Sequence, residues 1–204
     1  MKLIETPIAV SLEQPHDSRY IELLNDYFKA SERDGRASSI EEKKKMMAIK
    51  EEMAALCNRN PRKLEALAEI VSQVRERREK AVLITKLNVV ASELAEFLVE
   101  RFGARAILNV TNQDSVHDVN HILNQFDKLP ESTVLILTDS ANTGLDLTAA
   151  NHLIHYDYPL KFMDMLQRNN RISRQTSQHS VAAIYYLITS GRIDEFEFLQ
   201  SKNA

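Results

Sequence analysis

The 204-residue sequence has no tryptophan, one cysteine (Cys57) and only four glycines. A lone cysteine excludes an internal disulfide, so the fold must rest on packing, and a reducing compartment suits it. No apolar run approaches the roughly 18 residues that read as a membrane span. The opening residues MKLIETPIAVSLEQ lack the layout of charge, long apolar stretch and small cleavage site that marks a secretory leader. The expectation is an intracellular protein with no membrane partner, cytoplasmic in a prokaryote or nuclear in a eukaryote. Positive charge is not in excess either: 26 Lys and Arg stand against 29 Asp and Glu, for a net charge of −3. Any contact with nucleic acid must therefore come from a local basic strip, not from bulk attraction. No G-x(4)-G-K-[ST] segment occurs, so the lysine and hydroxyl that hold phosphates and Mg²⁺ in that motif are missing from these residues.

What is present is ample apolar material, 44% of the residues. Leu3–Leu12 alternates weakly and reads as a strand or an extended entry segment. Tyr20, Leu23, Leu24, Tyr27 and Phe28 then recur at helical spacing. Residues 31–38 (SERDGRAS) read as a loop, and Ser39 with Glu42 forms a capping-box pattern that opens a second helix carrying Met46, Ile49, Met53 and Leu56. Asn60 and Pro61 open a third, lined by Leu64, Leu67, Val71 and Val74. From Ala81 the texture changes. The apolar runs AVLIT (81–85), ARAILNV (104–110), VLILT (134–138), HLIHYD (152–157) and VAAIYYLIT (181–189) alternate with amphipathic stretches, one of them a predicted helix over 162–173. Continuously apolar strands separated by helices predict a parallel sheet covered on both faces. Such sheets work at the carboxyl ends of their strands, here Thr85, Val110, Thr138-Asp139, Asp157 and Thr189.

Three segments carry chemistry. In TDSANTGLDL (138–147), small and polar residues follow a buried strand, and Gly144 permits close approach of the backbone to a phosphate; the ordinary alternative is a polar loop with Asx turns. In QRNNRISR (167–174), Gln167, Arg171 and Arg174 fall on one face if the segment is helical, with Arg168 on the neighbouring row. Arginine suits fork-shaped phosphate recognition; the ordinary alternative is a solvated basic face. GRIDE (191–195) is a turn with acidic residues where a helix dipole favours them.

Taken in order, these segments resemble the carboxyl-terminal RecA-like lobe of superfamily-two helicases, closest to the Swi/Snf-type DNA translocases. KAVLITKLNVVASELAEFL (80–98) resembles that lobe's opening strand and helix, TDSANTGLDLTAA (138–150) its motif five, QRNNRISR its arginine motif six, and LITSGRIDEFEFLQSK (187–202) its closing segment. The resemblance implies an α/β fold, a RecA-like parallel sheet sandwiched by helices. It divides the chain into an N-terminal strand and helical appendage (1–79) and the lobe itself (80–204). It also implies half of a motor: ATP and Mg²⁺ shared with an N-terminal helicase lobe, and DNA favoured over RNA. By motif position Arg171 and Arg174 would be arginine fingers; Gly144, Asp146 and Gln167 would face the nucleotide; Thr138, Thr85, Lys86 and Thr111 would lie along the nucleic-acid backbone. Departures accompany the likeness: Ala141-Asn142 stand where paired glycines are frequent, Asn170 and Ser173 where glycine is, and Arg192 where threonine is usual.

Because phosphoryl transfer needs metal neutralisation and positioning, the chain alone is expected neither to hydrolyse ATP nor to translocate, as an excised lobe or a split gene product would not. Two other readings stand beside the motor: an inactive interaction module derived from such a lobe, and an unrelated flavodoxin-like nucleotide binder. The helices of 16–78 read as a cap burying apolar stripes in preference to a brace between lobes. His117 and His121 lack a third ligand for zinc, His152 and His155 point to opposite faces of a strand, and Cys57 reads as inert core.

Overall fold

The computed structural model describes residues 2–32, 40–110, 114–129, 133–140, 145, 147–173, 177 and 179–202. The short apolar runs form strands because β-branched and leucine side chains are covered on both faces. β2 (Ala81–Thr85), β4 (Val134–Thr138) and β5 (His152–His155) are buried along their whole length. With β1 (Lys2–Val10), β3 (Ile107–Val110) and β6 (Val181–Thr189) they make one six-stranded sheet in the order β1-β6-β5-β2-β4-β3. Every pairing among these strands is parallel, so the α/β expectation holds.

Helices cover both faces. α3 (Pro61–Glu76) and α4 (Asn88–Phe102) pack Leu67, Val71, Val74, Leu94 and Leu98 against Leu83, Ile136 and Ile154. On the other face α5 (Val116–Lys128) and α6 (Phe162–Asn169) bring Phe126 and Met165 against Val82, Leu135 and Ile184. The caps act as their sequences predict. Asn60 accepts from the Arg62 N–H ahead of Pro61, and Gly103 ends α4 at φ 87°, a conformation that costs a glycine nothing. Ser39, the other predicted cap, lies outside the described residues. The region 1–79 is not merely attached: β1 is an edge strand of the sheet and α3 enters its core. α1 (His16–Glu32) and α2 (Ile40–Asn58) form an antiparallel hairpin with a core of its own, Leu12, Tyr20, Leu23, Ile49, Met53 and Cys57, closed by Ile193 at the start of α7 (Ile193–Lys202). Among the described residues no helix is long and apolar enough to cross a membrane.

Where α3 meets α7, Lys63 donates to Asp194 at 2.7 Å with both side chains closed to solvent, and its ammonium stands 4.6 Å from the Tyr156 ring centre. The same Asp194 oxygen accepts the Thr189 N–H at 2.8 Å. The aspartate of GRIDE is thus a buried partner for a lysine 131 residues away; helix electrostatics alone does not describe it.

One element is shorter than its sequence predicts. The helix expected over 162–173 ends at Asn169, and Arg171 lies in the turn that follows. Ile172 must enter the core, and the Arg171 carbonyl accepts from the Leu147 N–H at 3.3 Å instead of continuing the helical ladder. Gln167 and Arg171 therefore do not share a helical stripe.

Candidate functional site

The carboxyl ends of β2, β4 and β5 lie side by side, with β2 in the middle, and one arginine spans them. Arg168, on the inner face of α6, has only 2% of its side chain exposed. Its Nε and Nη2 each donate at 2.7 Å to the two carboxylate oxygens of Asp139, just past β4. Its Nη1 donates at 2.6 Å to the carbonyl of Asp157, just past β5. A bidentate fork of this kind fixes direction as well as distance. The Asp157 carboxylate reaches the other way: it accepts from the Thr85 hydroxyl at 2.5 Å and from the Lys86 N–H at 2.8 Å. The Asp139 N–H donates to the Thr85 carbonyl at 3.2 Å. Three strand ends and α6 are thereby tied into one polar clasp.

Behind the clasp, His155 is fully buried between Asn169 (2.7 Å at Nε2) and Arg168 (3.4 Å at Nδ1), stacked on Tyr186 with ring centres 4.9 Å apart. Burial, helped by the guanidinium, holds its pKa well below the ordinary imidazole value. It is therefore neutral at physiological pH and leaves the one guanidinium charge to the carboxylates. Lys86 extends over the rim to Glu197 at 2.6 Å; burial raises the pKa of that carboxyl against the pull of the lysine.

Of the residues singled out by sequence, Thr85 and Thr138 are closed to solvent. Thr85 is committed to Asp157, and Thr138 shares a hydrogen bond with Ser140 at 3.1 Å. Neither hydroxyl can reach a phosphate in this conformation, so both hold the rim from beneath. Lys86 is part-exposed on it. Arg171 is half-buried, and its Nη1 donates to the Leu145 carbonyl at 3.4 Å. The arginine turn thus lies against the 138–147 loop. Gln167 is exposed, and with Asn170, Arg171 and Ser173 it lines an open depression of about 330 Å³. Gly144, Asp146, Arg174 and Thr111 lie outside the described residues. Among the described residues the depression is lined by amide, hydroxyl and guanidinium groups, which suit an anion. Sequence reasoning placed Arg168 only on the row beside Gln167 and Arg171 and gave it no role of its own. The signal that could have found it is the pair of aspartates just past two neighbouring strands, Asp139 and the buried Asp157, whose charges call for a cation between them.

Comparison with known proteins follows the same lines. Residues 62–176 match the family described as Helicase conserved C-terminal domain. A "Putative ATP-dependent helicase/translocase YwqA" of Bacillus subtilis is 27% identical over 150 residues, which is 72% of this chain and 16% of that protein. An ATP-dependent RNA helicase dbp2 of Neurospora crassa is 28% identical over 106 residues, 52% of this chain and 18% of that protein. The chain thus spans less than a fifth of these curated relatives. Among solved structures, the C-terminal part of the Fun30 ATPase domain superposes with a TM-score of 0.82 at 15% identity, covering 100% of this chain and 90% of that one. The Sulfolobus solfataricus SWI2/SNF2 ATPase core in complex with dsDNA gives 0.77 at 17% identity, covering 95% of this chain and 42% of that one. The family match covers more than half of the chain and includes the strand ends, the clasp and the arginine turn; the protein belongs to the helicase conserved C-terminal domain family.

Proposed function

We propose that the chain is the second motor lobe of an ATP-dependent, helicase-like DNA translocase of the Swi/Snf type. The observation that carries this reading is the contact between the turn bearing Arg171 and the loop after β4, on the same rim as Lys86. One lobe face then presents anion-binding groups to two ligands at once. Arg171, with Arg174, extends toward the terminal phosphate of a nucleotide whose Mg²⁺ and phosphate loop belong to a first lobe. Gln167, Gly144 and Asp146 border that nucleotide. ATP supplies the phosphoryl group whose transfer to water drives the cycle; the guanidinium stabilises charge as it builds. Lys86 and the backbone around Thr138 and Thr111 follow the nucleic-acid strand, with Thr85 and Thr138 as supports beneath. Contacts of this kind grip phosphates without reading sequence.

DNA is favoured over RNA because the fold matches a SWI2/SNF2 core solved with dsDNA. The dbp2 relatives, named as RNA helicases, weigh the other way. The test is reconstitution. The chain alone is expected to show no ATP turnover above buffer. Joined to a first lobe that carries the phosphate loop, it is expected to give ATPase activity raised by duplex DNA more than by RNA. Turnover by the chain alone would overturn the division of labour. A joined protein that stays silent while the two halves bind would favour the interaction module.

A further inference from the structure

Lys86 reaches the rim already paired with an anion. Its ammonium donates to the Glu197 carboxylate of α7 at 2.6 Å. The backbones on both sides are fixed. The Lys86 N–H is held by Asp157 at 2.8 Å. α7 is pinned at its start by the Asp194 contacts with Lys63 and the Thr189 N–H, and near its end by Lys202, which donates to the Tyr186 hydroxyl at 3.0 Å. What can move is the lysine side chain, a flexible four-carbon stem ending in a rotatable ammonium. It is also the more open partner, with 25% of its side chain exposed against 13% for Glu197.

Glu197 sits in a negative neighbourhood. Burial, joined by the charges of Asp157 and Asp194, raises the pKa of its carboxyl, and Lys86 is the group that opposes them. A phosphate that comes to Lys86 must contend with that carboxylate. An ammonium can donate to both anions, but a phosphate oxygen ~2.8 Å from the nitrogen then lies within about 5.5 Å of the carboxylate oxygen, where like charges repel. The other course is for the lysine to swing to the phosphate, which leaves Glu197 half-buried beside two aspartates without its cation. Either way Glu197 weakens the contact. A pair that served only to brace α7 against the end of β2 would be indifferent to phosphate.

We infer that Glu197 competes with the nucleic-acid backbone for Lys86, so that the chain's own carboxylate holds the rim partly closed to phosphate. The inference rests on the proposed function, which puts Lys86 on the strand. Its consequence is a grip that lets go: as a phosphate leaves, Glu197 takes the ammonium back. A lobe that steps along a backbone needs such release at each phosphate.

The test uses the full chain and a fluorescent duplex, with anisotropy read at about 50 mM salt, where phosphate contacts are strong. Glu197→Gln keeps the shape and an acceptor for Lys86 but removes the charge. It is expected to tighten binding by roughly threefold to fivefold. Glu197→Ala, which removes the acceptor as well, is expected to do the same. Lys86→Gln is expected to weaken binding and to flatten the slope of log K against log salt by about 0.9, one phosphate contact. In the Lys86→Gln background the gain from Glu197→Gln is expected to fall below about twofold, because it acts through the lysine. Affinity unchanged or lowered by both Glu197 variants, while Lys86→Gln weakens binding, would overturn the competition and leave the rim standing. Equal gains with and without Lys86 would overturn it too, since they would report only a lost negative charge. Binding that ignores Lys86→Gln, or no duplex binding by any of these proteins, would overturn the rim contact and the inference together.

Discussion

In a protein that joins this chain to a first lobe, Arg171→Ala is expected to lower DNA-stimulated kcat for ATP by roughly 10³-fold or more, the contribution typical of an arginine that meets transition-state charge. At 1.36 kcal/mol per factor of ten, that is about 4 kcal/mol or more of the barrier. KM for ATP should move little, because the charge it meets develops during transfer and is smaller in the bound ground state. Arg171→Lys should not restore the rate, since an ammonium lacks the planar fork. Stability should fall less than it does for Arg168→Ala. The Arg171 Nη1 meets the Leu145 carbonyl only at 3.4 Å, and the side chain is half-buried, whereas Arg168 is closed to solvent. A kcat within threefold of the unmodified protein would remove Arg171 from the finger role.

Arg168→Ala should do the reverse, damaging the fold before it touches the chemistry. Truncation abandons the fork on Asp139 and leaves the Asp157 carbonyl, which the guanidinium meets at 2.6 Å, without that donor. Breaking a buried ion pair by removing one partner costs about 3–5 kcal/mol. For a chain of this length that is a drop in Tm of roughly 6–20 °C. Asp139→Ala should cost less, about 1–2 kcal/mol: its side chain is 40% exposed, so water screens the loss, and Asp157 still anchors the arginine. Denaturant and thermal unfolding of the two variants measure the difference. Equal, small losses would mean that the clasp does not hold the strand ends together. Because α6 carries Arg168 on its inner side and leads into the Arg171 turn, the two substitutions separate holding the motif from using it.

Much of this arrangement was legible from sequence. Continuous apolar runs such as VLILT have one physical meaning, a strand covered on both faces, and the Asn60-Pro61 and Gly103 boundaries follow from local backbone chemistry. The family likeness carried the rest of the fold. The fate of charged residues was not legible. Arg168 sits at a spacing that on an isolated helix means solvent, and its burial depends on Asp139 and Asp157, 29 and 11 residues away, converging from two strands. Lys63 and Asp194, separated by 131 residues, are the same case. The early end of α6 escaped for a related reason: nothing local stops that helix, and the chain turns because Ile172 is needed in the core and Leu147 offers its N–H. Local rules predict elements; long-range pairing decided which charges became structure.

The most direct test of the central claim is amide hydrogen exchange on the chain joined to a first lobe, with and without a non-hydrolysable ATP analogue and Mg²⁺. Protection is expected to rise at Leu145–Leu147 and at Asn170–Ser173, while the opposite end of the sheet, around Glu79 and His152, stays unchanged. Protection confined to that opposite end, or no change at the arginine turn under saturating nucleotide, would contradict the account.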